Sequence, residues 1–430
     1  MTPDTNAGYR VDEGFALEMD AADPLRGFRD EFIIPPGPDG NPVKYFCGNS
    51  LGLQPKRARD YIDDELAAWG DQAVLAHHYG GAPWYSYHEL FRAPLARLTG
   101  AGENEVVLMN SLTVNLHLLM VSFYRPTPER FKILVEDSPF PSDRYVVETQ
   151  VRYHGWDPGE ALIFLEPRPG ETHLRTEDIE ARLEREGSSV ALMFMGGVNF
   201  LTGQLFDLER ITRAAKRAGC RVGVDLAHGV GNVPLRLHDW GVDFAVWCSY
   251  KYLNGGPGAL GGAYIHEEHA RDASLPRFGG WWGNDPDTRF RMQLEPNFVP
   301  VPSADGWQLS NPSIFGSAPL RASLDQFDRA GMDALREKSV RLTGYLEYLL
   351  GETARKRVEI TTPADPAARG CQLSMRIREG ARETQRVLEA KGLVCDFREP
   401  DVLRVGPTPL YNSFHDVWSL ARVLRDEGGE

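Results

Sequence analysis

The chain has 430 residues, 42% of them hydrophobic and 25% charged, with a formal net charge of -14. That length allows two domains and a sizeable core, and the acidic balance argues against a binder of nucleic-acid backbones, which presents a basic face. No apolar run reaches the ~18 residues of a membrane-spanning helix, and the opening MTPDTNAGYRVDEG lacks the basic and apolar regions of a secretory signal, so a cytoplasmic protein with no membrane or nucleic-acid partner is expected.

Residues 1–72 read as an N-terminal arm and helix that contribute to a smaller domain, with IIPPGPDGNP (33–42) as a loop. From about 105 to 265 short apolar runs alternate with segments of helical period. The runs are VVLM (106–109), FKILVE (131–136), ALIFLE (161–166), VALMFM (190–195), RVGVDL (221–226) and FAVWCS (244–249). Runs of that length between turns and helices predict βα units and a mainly parallel sheet buried on both faces, in a large α/β domain over 73–305. TEDIEARLEREG and DLERITRAAKRAGC read as surface helices, the first with early acids and a glycine stop. Beyond residue 305 the pattern changes. A long helix through KSVRLTGYLEYLL, CQLSMRI, a helix near 381–391, VCDFRE and a last helix from about 413 predict a smaller α+β domain over 306–430. Five scattered cysteines without a CxxC pair predict buried free thiols.

Ligands of an open parallel sheet sit beyond the carboxyl ends of its strands, so the polar residues after each run are candidates for a site. After the first run comes NSLTVNLH, where Ser111 could cap a helix and Leu112 and Thr113 would offer donors to an anion. After the second comes FPSD, with Phe140, Ser142 and Asp143. After the fifth come Asp225 and His228, and after the sixth Tyr250 and Lys251, followed by a glycine-rich turn. Each alone has an ordinary structural explanation: a cap, a turn former, a core histidine, a surface lysine. One ligand would use them all. Pyridoxal phosphate needs anion donors for its phosphate, an aromatic face for its ring, a carboxylate for its pyridine nitrogen and a lysine amine for its aldehyde. Glycines 255, 256 and 258 would let backbone crowd that cofactor. GGPGALGG lacks the ending of a P-loop, no GxGxxG follows the first strand, and the histidines form no metal set, so no metal is expected.

The block DLAHGVGNVPLRLHDWGVDFAVWCSYKYLNGGPG (225–258) closely resembles the kynureninase family. So do FCGNSLGLQP, NSLTVNLH, FPSD, GVNFLTGQ, GWWG, LSNPSIF and LRVGPTPLYNSFHD, which together run from about residue 40 to the end of the chain. The resemblance implies a fold type I pyridoxal-phosphate architecture with a mainly parallel seven-stranded sheet. It implies a homodimer with active sites at the subunit interface that hydrolyses L-kynurenine to anthranilate and L-alanine, with 3-hydroxy-L-kynurenine as the alternative substrate. Lys251 would hold the cofactor and take the substrate α-proton. Asp225 would pair with the pyridine nitrogen, with Asp143 nearby, Phe140 on the ring face and His228 in support. Leu112, Thr113, Tyr250 and Trp281 would hold the phosphate with Ser142 beside them, and Tyr250 would also donate a proton. Arg404 would clamp the substrate α-carboxylate. His77 and Asn311 would contact the aryl ketone, Asn311 also bordering the cofactor; AHHYGGAPW leaves open whether His77 or His78 fills that role. Gly196 stands where many members carry serine, which removes a hydroxyl near the cofactor.

Two other readings share parts of this pattern. A cysteine desulfurase or class V aminotransferase would share Asp225, His228 and Lys251, but a desulfurase needs a nucleophilic cysteine on a mobile loop, and Cys371 and Cys395 lie in apolar runs. A binding protein without turnover would be expected to lack the lysine or the arginine, and both are present.

Overall fold

The structure is a computed structural model that describes residues 8–426. Each of the six apolar runs forms a strand: β1 (Val106–Leu108), β2 (Lys132–Glu136), β3 (Leu162–Leu165), β4 (Val190–Gly196), β5 (Arg221–Asp225) and β6 (Phe244–Cys248). A seventh, β7 (Gly261–Ile265), completes a sheet in the order β1-β7-β6-β5-β4-β2-β3. Neighbours from β3 to β6 pair parallel, and β7 runs antiparallel to both β6 and β1.

The central strands are buried along almost their whole length because helices cover both faces. An aromatic stack illustrates the packing: the Phe244 ring lies 4.8 Å from Phe123 and 6.4 Å from Phe194, both nearly parallel to it. α1 (Leu112–Phe123) follows β1 and α2 (Pro141–Tyr153) follows β2; α3 (Thr176–Glu186) and α4 (Leu208–Arg217) are the two helices expected from their periodicity. The connections thus bring the carboxyl ends of β2, β4, β5 and β6 to one edge of the sheet.

After α5 (Ile314–Ala330) and α6 (Met332–Thr353) comes a second, antiparallel sheet of β8 (Val358–Ile360), β9 (Leu373–Ile377), β10 (Asp396–Arg398) and β11 (Val402–Val405), in the order β8-β9-β11-β10. α7 (Ala381–Ala390) and α8 (Phe414–Asp426) cover it. The helix Glu13–Ala21 buries Ala16 and Met19 in this second core, and Lys44–Tyr45 pairs with Leu393–Val394. All five cysteines are buried and free. No helix among the described residues is long and apolar enough to cross a membrane.

Candidate active site

A pocket enclosing about 520 Å³, its open mouth included, lies at the carboxyl edge of the large sheet. Leu112, Thr113, Phe140, Ser142, Asp143, Asp225, His228, Tyr250 and Lys251 all line it. Nine separately chosen residues from four connections thus reach one space. The strand order accounts for this, since β5 and β6 are neighbours and α1 and α2 begin on the same edge.

At the start of α1 the Thr113 and Ser142 hydroxyls lie 3.0 Å apart, beside backbone N–H groups that have no partner within the helix. Ser111 occupies the capping position in extended conformation, but its side chain accepts no capping hydrogen bond, so the first turn is not closed off by its own residue. Gly256 and Gly258 correct an expectation. Neither lines the pocket, and φ values of +88° and +76° make them turn formers, not points of close approach to a ligand.

On the opposite wall, Asp225 accepts a 2.6 Å hydrogen bond from the Ala227 amide. Burial raises its carboxyl above the usual range and raises that of Asp143 further, because the charge of Asp225 stands beside it. Of the two buried carboxyls Asp225 is the more acidic. Asp143 Oδ1 and His228 Nδ1 are buried without a hydrogen-bond partner. The His228 ring is held neutral, its pKa pushed well down by burial and then by the charge of Lys251. Lys251 Nζ lies 5.6 Å from the Phe140 ring centroid, and Phe140 meets Phe200 edge-on at 5.3 Å. Burial also raises the Tyr250 hydroxyl above its ordinary pKa.

These features fit pyridoxal phosphate. The hydroxyl and amide donors suit its phosphate, Phe140 its ring face, the buried Asp143 and Asp225 carboxyls its pyridine nitrogen, and the Lys251 amine its aldehyde.

Arg404 on β11 is buried beside this pocket. It donates to the Phe200 carbonyl at 2.7 Å and is ion-paired with Asp396, while its Nε has no partner. Trp281, Asn311 and His77 are not brought into the pocket of their own chain. Trp281 stands against Trp282 with ring centroids 4.8 Å apart, Asn311 is exposed, and His77 Nδ1 lies 3.0 Å from the Val74 carbonyl. His78 is exposed as well.

Four residues of the site were not among those expected from sequence: Glu136, Val198, Phe200 and Ala227. Glu136 ends the FKILVE run and was legible by the same strand-end rule that selects Asp225. Gly196 also lines the pocket, and a Cβ there would stand 2.8 Å from Glu136 Oε1, so the carboxylate fills the space a side chain would need.

A family model described as the kynureninase C-terminal domain matches residues 335–424. A kynureninase from Myxococcus xanthus is 58% identical over 98% of this chain and 99% of its own length. Among solved structures, an apo cysteine desulfurase from Thermococcus onnurineus superposes with a TM-score of 0.74 at 19% identity, covering 93% of this chain and 97% of that one. A C-DES mutant with glycine covalently linked to its PLP cofactor gives 0.75 at 18%, covering 92% of this chain and 98% of that one. The structural likenesses establish the fold. The resemblance to the desulfurase does not extend to a reactive thiol, because Cys371 is buried with its pKa pushed up to about 12 by burial. With its pocket assembled from those strand ends and its sequence matched nearly end to end, the chain belongs to the kynureninase family.

Proposed function

We propose that the protein is a PLP-dependent kynureninase that hydrolyses the Cβ–Cγ bond of L-kynurenine to give anthranilate and L-alanine in the cytoplasm, as a step of tryptophan catabolism. The observation that carries this reading is that the Lys251 amine and the Asp143–Asp225 pair line one pocket with the anion donors of α1. Lys251 would hold the cofactor, Asp225 and Asp143 would keep its pyridine nitrogen protonated, Phe140 and His228 would flank its ring, and Leu112, Thr113, Ser142 and Tyr250 would receive its phosphate. Bound PLP supplies an electron sink that stabilises negative charge on substrate carbons.

The chain's own groups do the rest. Arg404, whose guanidinium reaches the pocket wall through the Phe200 carbonyl, pairs with the α-carboxylate. The Lys251 amine takes the α-proton and gives it back to Cα before alanine leaves. One water adds to the ketone carbon, which leaves as the carboxyl of anthranilate when Cβ–Cγ breaks. Tyr250, whose raised pKa keeps its hydroxyl protonated, supplies the proton that turns Cβ into the methyl of alanine.

In this reading the molecule works as a homodimer in which Trp281, His77 and Asn311 help to complete a site at the subunit interface. Support comes from the apolar side chains exposed near them, among them Val74 at 72%, Tyr79 at 64% and Phe290 at 59%, whose ring stands against Trp281. Purified holoenzyme given L-kynurenine and 3-hydroxy-L-kynurenine in parallel should release anthranilate from the first, followed by its fluorescence. Turnover of neither compound would refute the proposal.

A further inference from the structure

The segment 197–204 is a narrow partition. Val198 and Phe200 face the active-site pocket, while Asn199, Leu201, Thr202 and Gln204 line a separate cavity of about 700 Å³, mouth included. With open space on both sides, hydrogen bonds at its root and tip must fix its position.

The root is held by Glu136, only 3% exposed at the end of β2. Its Oε1 accepts from the Gly196 amide at 2.8 Å and its Oε2 from Asn199 Nδ2 at 2.7 Å. Asn199 in turn uses Oδ1 to accept from the amides of Leu201 and Thr202 at 3.0 and 2.9 Å, which shapes the turn. Between them lies Phe200. Its carbonyl accepts from Arg404 Nη1 at 2.7 Å and from Gln372 Nε2 at 3.1 Å, and its ring meets Phe140 edge-on. A continuous chain of contacts therefore runs from Glu136 through Asn199 and Phe200 to the guanidinium of Arg404.

We infer that Glu136 is a positioning residue for substrate recognition: by gripping Asn199 it sets the Phe200 carbonyl, and the carbonyl aims Arg404 at the substrate α-carboxylate. The inference rests on the reading of Arg404 given above. No side chain of Glu136 need touch the substrate. Its two oxygens face two donors, so the isosteric amide of glutamine can satisfy only one of them and turns its NH2 against the other.

The test uses holoenzyme variants and steady-state kinetics on L-kynurenine. At about pH 8, where Glu136 is ionised and both its oxygens accept, E136Q should raise KM about tenfold and leave kcat within about twofold, since a misaimed guanidinium weakens substrate binding before chemistry. N199D alone should raise KM as well, because two carboxylates then face each other. The double variant E136Q/N199D reverses donor and acceptor, keeps the Oδ1 contacts to Leu201 and Thr202, and should bring KM back to within about threefold of the parent. A KM unaffected by E136Q, a loss confined to kcat or to cofactor affinity, or a double variant no better than the worse single would each overturn the inference. R404K in the same assay separates the two levels. If R404K leaves KM unchanged, the reading of Arg404 falls and this inference with it; if R404K raises KM and E136Q does not, only this inference falls.

Discussion

Replacing Lys251 by alanine should abolish kynurenine turnover, since the pocket offers no second amine beside the Asp143–Asp225 pair. Turnover at the parental rate would remove Lys251 from the mechanism. Arg404→Ala should lower kcat/KM by about 2 to 5 kcal/mol, the range expected on truncating a desolvated charge-assisted contact. An unchanged kcat/KM would place Arg404 outside the site. Glu136 makes a prediction about pH. Burial pushes its carboxyl from 4.5 up to about 7. The fold thus resists ionising Glu136 more than the unfolded chain does, and the cost of holding the ionised, two-acceptor form grows as pH rises from about 4.5 to 7. At about 1.4 kcal/mol per pH unit this amounts to about 3 kcal/mol, and glutamine bears none of it. Cofactor-free parent should therefore lose stability relative to cofactor-free E136Q across that window, measured by denaturant unfolding, and a pH-independent difference would contradict it. Single residues were the most legible part of the site, because a strand-end lysine, carboxylate and histidine are chemically distinctive. Phe200 was not, since nothing in GVNFLTGQ alone shows that its backbone carbonyl meets a side chain about 200 residues away.

At the scale of elements, apolar runs of four to six residues marked six strands of the large sheet because both faces are covered and little alternation is needed. β7 was invisible to that rule. It begins Gly261–Gly262, which reads as a turn, and the second glycine is set by tertiary packing: a Cβ on it would lie 2.1 Å from the Trp247 ring on the neighbouring strand. The same dependence on close packing governs β6. Phe244→Ala would open a cavity in the stack between Phe123 and Phe194 and should cost about 3 to 5 kcal/mol in denaturant unfolding. A loss below about 1 kcal/mol would mean that the aromatic layer is not tightly packed.

The whole molecule places a sheet-edge pocket beside a second sheet whose buried Arg404 reaches the Phe200 carbonyl on the pocket wall, and in the proposed function this meeting lets one site address both a ring and a carboxylate. The change of pattern after residue 305 pointed to a separate C-terminal unit. Residues 1–72 were expected to contribute to that unit, but the particular long-range contacts by which the helix Glu13–Ala21 and Lys44–Tyr45 join it are not encoded in periodicity. If the exposed apolar side chains near His77 form a subunit interface, Val74→Asp should shift the protein from dimer to monomer in light scattering and reduce turnover together. A parent that is monomeric and fully active would contradict that arrangement. The most direct test of the account is chemical: holoenzyme is reduced with borohydride, digested and mapped by mass spectrometry. A pyridoxyl group on Lys251 is the predicted result; attachment to a different lysine, or none, would contradict it.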